Sequence, residues 1–316
     1  MADKKVIVVM GATGAQGGGL ARAILADGSG PFAVRAVTRK PDADKARALA
    51  NLGAQVVQAD ADDEASLEKA YAGAYGVFCV TNFWEHLSAD KETAQAGAMA
   101  RAAKKAGVQH VVWSTLEDTR KTVPLDDNRL NTLHDKFKVP HFDGKGAADE
   151  LFAKAGVPTT YLLAAFYWEN FIYFGLGPRQ GEDGKLTLAV PLGGTALPGI
   201  GAEDIGRCVY GIFKKGSGMA GRRIGISGEN LSGEQMAAKM GRALGREVRF
   251  YDMPFDTFRG LGFPGADDLG NMFEFQHIDE DAFLRSRDVK VSRELNPALL
   301  DFDQWLAANA GRIPIS

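Results

Sequence analysis

Three glycines spaced three apart, Gly11, Gly14 and Gly17, stand between the apolar run Lys5-Val6-Ile7-Val8-Val9 and the helix-like Leu20-Ala21-Arg22-Ala23-Ile24-Leu25. Their chemistry is that of an anion cradle. Gly11 lets the chain turn sharply off a strand, Gly14 leaves the backbone bare to an approaching pyrophosphate, and Gly17 lets a helix lie close against the strand. Thr13, Ala15 and Gln16 lie in the same stretch, and the helix that follows offers free N–H groups and the positive end of its dipole to a phosphate. A purely structural glycine turn is the alternative. The strand before it and the helix after it are the context that a dinucleotide site requires.

A second residue pair refines the ligand. The next strand, Phe32-Ala33-Val34-Arg35-Ala36-Val37-Thr38, runs into Arg39 and Lys40. A site for NAD(H) normally puts Asp or Glu there to bind the ribose 2′-OH. A guanidinium instead holds a 2′-phosphate through two parallel hydrogen bonds. The expected cofactor is therefore NADP(H), read by Arg39 with Lys40 and Lys45 as helpers; a solvated basic loop is the alternative.

These residues need a frame, and the chain is long enough to build one. Its 316 residues exceed one typical domain, so a large domain with an appendage is expected. A net charge of −3 without a long basic run argues against direct nucleic-acid binding. Two cysteines, Cys79 and Cys208, supply neither a disulfide framework nor a metal cluster, and the five histidines show no ligand spacing, so no metal is expected. The run after Met1-Ala2-Asp3-Lys4-Lys5 is too short for a signal h-region, and no stretch reaches the ~20 apolar residues of a membrane span. The expected location is the cytoplasm.

Strand-like and helix-like segments alternate through the first half, which predicts a parallel sheet covered on both faces. Strands are expected at 5–9, 32–38, 54–58, 76–80, 110–114 and 159–163. Helices are expected near 44–52, 64–71, 91–106 and 141–155, and a long loop or lid over 117–138. Ligands of such sheets bind beyond the carboxyl ends of the strands. Those ends carry Asp60, Ala61 and Asp62 for the adenine edge, and Thr81, Asn82, Phe83 and Trp84 for the nicotinamide ribose. Ser114 and Thr115, then Ala164 to Tyr167, complete the crevice. Asp62 and Asp63 serve equally well as a helix N-cap.

After Trp168, glycine, proline and aromatic residues become frequent. Gly193-Gly194 suggests a hairpin turn between strands at 186–192 and 196–200. Glu203 and Asp204 suggest caps of a following helix. Tyr167 to Asn170 with Phe171, Tyr173 and Phe174 could line an apolar pocket or simply pack a core, and Asn170 could cap a helix or meet the nicotinamide. The expected architecture is α/β, a doubly wound parallel-sheet Rossmann domain over residues 1–165 with a smaller α+β C-terminal lobe over 166–316. Elements of the second half can return to the first body.

Several motifs carry a resemblance. Gly11 through Gly18, Thr81-Asn82-Phe83-Trp84-Glu85, His141-Phe142-Asp143-Gly144-Lys145-Gly146, Leu261-Gly262-Phe263-Pro264-Gly265-Ala266, Asn271-Met272-Phe273 and Leu295-Asn296-Pro297 through Asp303-Gln304-Trp305-Leu306 resemble the NmrA-like group of atypical short-chain dehydrogenases. The likeness covers essentially the whole chain and is greatest to the HSCARG-type NADPH sensors. It implies NADP(H) binding and, for the best-known members, regulation through changes of conformation or partner with cofactor occupancy.

The resemblance also raises a catalytic question. Short-chain dehydrogenases place Tyr-x-x-x-Lys on one helix and a Ser or Thr after the fifth strand. The tyrosine gives a proton as hydride arrives, and the lysine holds the ribose. By resemblance, Ser114 and Lys145 fill two of these places and His141 stands where tyrosine is expected. His141 and Lys145 should lie one helical turn apart on one face. Gly144 and Gly146 beside them weaken the helix by ~1 kcal/mol each, a sign of close approach there. Histidine can donate a proton near neutrality, lysine alone is an option in the isoflavone-reductase-like branch, and His141 serves equally as a helix-start or cofactor-side residue. The missing tyrosine tips the reading towards a redox sensor or regulator. The alternative is an NADPH-dependent reductase of a small apolar or aromatic carbonyl or alkene. A regulatory protein partner, a small molecule in the aromatic cleft and a homodimer are the partners this raises; a membrane and direct nucleic-acid contact are not expected.

Overall fold

The computed structural model describes residues 4–315. Residues 1–3, read above for a leader, lie outside the described residues. The first half alternates as β1 (Lys5–Val9), α1 (Ala15–Ala26), β2 (Phe32–Thr38), α2 (Asp44–Asn51), β3 (Gln55–Gln58), α3 (Glu64–Tyr71), β4 (Gly76–Cys79), α4 (Ala89–Lys105), β5 (His110–Thr115), α5 (Pro140–Ala155) and β6 (Thr159–Leu163). Differences from the expected bounds have local causes. Helix α4 starts early because Ser88 caps it, its Oγ accepting from Lys91 N–H at 3.2 Å. Helix α1 begins before the expected run at Leu20 and takes in Gly17, Gly18 and Gly19, because the close contact of Gly17 with Met10 and Gly11 lets the helix start inside the glycine stretch.

Strands order as β11-β6-β5-β4-β1-β2-β3, where β11 (Arg223–Gly225) comes from the second half of the chain. All pairs are parallel. A parallel sheet hides both faces, so the interior strand β1 reads as continuous Val and Ile; Ile7, Val8 and Val9 are fully buried. Ile7 and Val9 join a core with Leu20 of α1 and Ile205 and Val209 of α7 (Ala202–Lys215), while Val8 faces Tyr71, Met99 and Phe152 on the other side. Strand order reverses between β1 and β4, which opens a crevice beyond their carboxyl ends.

The smaller lobe holds β7 (Phe166–Tyr167), α6 (Asn170–Tyr173), β8 (Arg179–Gln180), β9 (Leu186–Val190), β10 (Leu197–Ile200), β12 (Glu229–Leu231), α8 (Gly233–Leu244) and β13 (Val248–Asp252). Helices α9 (Phe255–Arg259), α10 (Ala266–Ile278), α11 (Glu280–Ser286), α12 (Val289–Leu295) and α13 (Phe302–Asn309) complete the chain. Two three-stranded sheets, β12-β10-β7 and β13-β9-β8, support it. The expected hairpin at Gly193-Gly194 is not formed, because β9 and β10 belong to different sheets. Both glycines have positive φ, and the Asp252 carboxylate accepts from the N–H groups of Leu192, Gly193 and Gly194 at 2.7–3.0 Å, so the turn redirects the chain instead of pairing its arms. The loop over 117–138 is fastened, not loose. Lys138 Nζ donates to Asp127 O, Leu130 O and Thr132 Oγ1, and buried Asn271 donates to Asn131 O and Lys138 O. Among the described residues no helix is long and apolar enough to cross a membrane.

Candidate functional site

The glycine turn lies at the mouth of the crevice. Gly11 has φ +58° and Gly14 N–H closes the turn onto Gly11 O at 2.8 Å. A Cβ on Gly17 would sit 2.5 Å from the carbonyl oxygens of both Met10 and Gly11, so α1 lies as close to β1 as the backbone permits. Gly14 begins α1 with no side-chain cap, and Gly11, Gly14 and Ala15 are exposed. Bare backbone, a helix N-terminus and room beside them fit a pyrophosphate.

Arg39 directly follows β2. Its guanidinium pairs with Glu85, which stands in the short turn Phe83–Glu85 after β4. Each partner reinforces the other's charge: the hydrogen bond with Glu85 raises the Arg39 pKa and lowers that of Glu85. Lys40 and Lys45 are exposed on the same side. The N-cap choice falls to Asp63, whose Oδ1 accepts from Ala65 and Ser66 N–H, whereas Asp62 pairs with Lys91 at 3.0 Å and Gln95 at 2.9 Å. Asp60 accepts from Asp62 N–H, with Ala61 half-buried between them.

Helix α5 supplies two side chains to the segment after β4. Buried Lys145 donates to Thr81 Oγ1 at 2.7 Å and pairs with Glu92 of α4 at 2.8 Å. Its contact with Thr81 O is longer, 3.3 Å. Glu92 is fully buried and its Oε2 has no partner among the described residues. One turn earlier, the His141 ring packs against Phe83 and Trp84, with centroids 5.8 and 5.0 Å away. His141 Nδ1 meets Asp268 Oδ1 at 2.6 Å, and His141 N–H donates to Asp268 Oδ2 at 3.2 Å. Ser114 Oγ donates to Gln16 Oε1 at 2.8 Å, and Gln16 Nε2 donates to the Tyr167 hydroxyl, which burial pushes up to about 12. Gln16 thus links Ser114 of β5 to Tyr167 of β7 through its side chain, while its backbone stays in the first turn of α1.

The close approach signalled by Gly144 and Gly146 is protein against protein. A Cβ on Gly144 would lie 3.1 Å from the Ala89 backbone, and one on Gly146 would lie 2.3 Å from Asp118 N. The aromatic run divides. Trp168 and Phe171 are core, whereas Tyr173 and Phe174 are exposed, and Phe174 borders a groove of about 620 Å³ with Leu176, Met253, Phe258, Leu261 and Phe263. Asn82 is exposed, and half-buried Asn170 opens α6 without capping it. Glu203 and Asp204 are corrected as caps of α7. Gly201 takes that position, and Glu169 accepts from Ala202 N–H at 2.9 Å. Glu203 pairs with Arg22, and buried Asp204 accepts from Asn296 and from Leu300 N–H. Sequence reading missed Glu85 as a partner of Arg39, and it missed Glu92 and Asp268 altogether. The last two carried a signal: each is acidic on an otherwise apolar helix stripe, Ala89-Glu92-Ala96-Met99 and Asp268-Met272-Phe275.

A glycine turn at the switch point of a doubly wound parallel sheet defines the dinucleotide-binding α/β class. Within it, the chain belongs to the NmrA-like family, which it matches over residues 3–306. It is 30% identical over 293 residues to the NmrA-like family domain-containing oxidoreductase FrzB of Cladobotryum sp, covering 85% of this chain and 83% of that one. It is 28% identical over 291 residues to the similarly named lnbB of Aspergillus flavus, covering 87% and 84%. Among solved structures, NmrA, a negative transcriptional regulator, in complex with NADP superposes with a TM-score of 0.78 at 24% identity, covering 98% of this chain and 96% of that one. Citrobacter sp. triphenylmethane reductase with NADP(H) gives 0.74 at 18%, covering 98% and 100%.

Proposed function

We propose that the protein binds NADP(H) in the crevice beyond β1 and β4 and reduces a small apolar or aromatic carbonyl compound. The observation that carries this reading is the convergence of His141 and Lys145 on the segment Thr81–Trp84, whose next residue, Glu85, meets Arg39. Gly11, Thr13, Gly14, Ala15, Gln16 and Gly17 hold the pyrophosphate, Arg39 and Lys40 the 2′-phosphate, and Asp60 and Ala61 the adenine edge. Thr81, Asn82, Phe83, Tyr167 and Asn170 surround the nicotinamide half, and Lys145 reaches the ribose by yielding its long contact to Thr81 O. The bound cofactor supplies a hydride. His141 gives the proton to the carbonyl oxygen, and Phe83 and Trp84 keep water from the reacting groups. The division of the chain at 165/166 into a cofactor body and a substrate lobe goes with this reading. Free, buried Cys79 and Cys208 suit the reducing cytoplasm. The names of the curated relatives support an oxidoreductase over the sensor that the missing tyrosine favoured. The test is NADPH consumption across aldehydes, ketones, quinones and enones. Stoichiometric oxidation with at least one class is expected, and His141→Gln should lower kcat by roughly 10²–10⁴-fold with NADPH affinity kept. No turnover with any of them overturns the reading.

The sensor reading keeps one observation of its own, the Arg39–Glu85 pair across the crevice. A 2′-phosphate that takes Arg39 releases Glu85, and with it the turn bearing Phe83 and Trp84. Faster hydrogen exchange over residues 83–87 on adding NADPH, in a protein without turnover, would establish it. Unchanged exchange would exclude it.

A further inference from the structure

We infer that Asp268 is a positioning residue for proton transfer: it fixes the His141 ring so that Nε2 is the nitrogen that exchanges a proton with the substrate. This rests on the reductase reading. Asp268 stands in the first turn of α10, in the smaller lobe, and His141 in the first turn of α5. The carboxylate is 3% exposed. Among the described residues, both its oxygens serve His141 alone, Oδ1 on ring Nδ1 at 2.6 Å and Oδ2 on the backbone N–H at 3.2 Å. No lysine or arginine among the described residues comes within 4.0 Å of it. A carboxylate only accepts, so Nδ1 carries hydrogen. The other nitrogen, Nε2, has no hydrogen bond to the described residues, and it is not walled off from solvent as His86 Nε2 and His110 Nδ1 are.

A purely structural staple needs only one of these bonds. The entry to α5 is already held by Asp143, which accepts from Lys138 and Val139 N–H at 2.8 and 3.2 Å. The second bond governs the ring. It chooses the tautomer and the orientation, the two properties that a proton donor needs fixed. The turn before α10 is shaped for the purpose: Gly265 has φ +84°, and a Cβ there would press 2.9 Å from Trp84, the ring that flanks His141. A bound NADPH would supply the hydride that forms the C–H bond at the carbonyl carbon, with the C=O π electrons moving to oxygen. Oxygen takes the proton from Nε2 of the doubly protonated ring, Nδ1–H stays on Asp268, and water restores the proton. The products are an alcohol and NADP⁺.

Two measurements test this. In ¹⁵N spectra of the intact wild-type protein, assigned against His141→Gln, neutral His141 should carry hydrogen on Nδ1 and a bare Nε2; the opposite tautomer overturns the proposal whether or not turnover occurs. Asp268→Asn should keep NADPH affinity and lower kcat at least tenfold with KM little changed, and it should shift the ¹⁵N pattern towards Nε2–H. A folded Asp268→Asn protein with wild-type kcat and an unchanged pattern overturns it. If asparagine cannot be accommodated, the wild-type spectrum alone decides. Absence of turnover in the wild type fails the reductase reading and leaves the tautomer result standing.

Discussion

Arg39 and Glu85 carry opposite charges from opposite sides of the crevice, and both are about half exposed. Such a pair contributes little by itself, ~0–1 kcal/mol, so a phosphate that accepts two parallel bonds can displace the carboxylate. Arg39→Ala should therefore weaken NADP(H) by ten- to a hundredfold, ~1.5–3 kcal/mol, and leave NAD(H) nearly unchanged in fluorescence titrations. Equal losses would show that Arg39 does not read the 2′-phosphate. Glu85→Gln removes a competitor and a like charge. It should tighten NADP(H) a few-fold at low salt, with the gain fading as ionic strength rises. An unaltered affinity at both salts would mean that Glu85 does not stand in the phosphate's way. Arg39 was legible because it sits at a fixed offset from a strand end. Glu85 was not, because its distance from Arg39 is set by the sheet order and not by the sequence.

Helix α1 is held between β1 and α7 by the absence of side chains. The Gly17 position has no room against Met10 and Gly11, and a Cβ on Gly206 of α7 would lie 2.0 Å from Leu20 N. Overpacking of this kind costs ~1–3 kcal/mol or more. Gly17→Ala should push α1 off β1 and abolish NADP(H) binding, and Gly206→Ala should lower the melting temperature by several degrees. Gly28→Ala, with nothing within 4 Å, should change neither. Normal cofactor binding by Gly17→Ala would disprove the account of the turn. Strands β1, β2 and β6 and helix α3 were readable to the residue, since apolar runs and glycine breaks define them locally. The Gly193-Gly194 turn was readable as a turn but not as a hairpin, because Asp252, some sixty residues away, decides where it leads. The cap of α7 failed for the same reason, being supplied by Glu169 from another element.

At the scale of the whole molecule, the two halves are interleaved. β11 extends the sheet of the first half, α7 covers its face, and α10 reaches back to His141. The glycine turn was legible because one βα unit makes it. The surroundings of His141 and Lys145 were not, because Glu92 and Asp268 come to α5 from other parts of the fold. His110 reports on the same interleaving. It is buried at the amino end of β5, its Nε2 is 2.8 Å from Thr160 Oγ1 of β6, and its ring lies 5.3 Å from Phe213 of α7. Burial lowers its pKa from 6.5 to about 4. The unfolded chain therefore takes up a proton on this residue before the folded one does. Its contribution to stability is complete above about pH 6.5 and is lost as pH falls towards 4, a change of about 3 kcal/mol. Buried Asp143 and half-buried Asp149 and Glu169, whose pKa values desolvation raises, act in the opposite sense, so the effect must be read as a difference. Urea unfolding of the wild type and of His110→Gln, which keeps a partner for Thr160, should give stability differences that shift against the wild type by about 3 kcal/mol between pH 7 and pH 4. Parallel curves would mean that His110 protonates as readily in the fold as outside it, and that the seam between β5, β6 and α7 admits water.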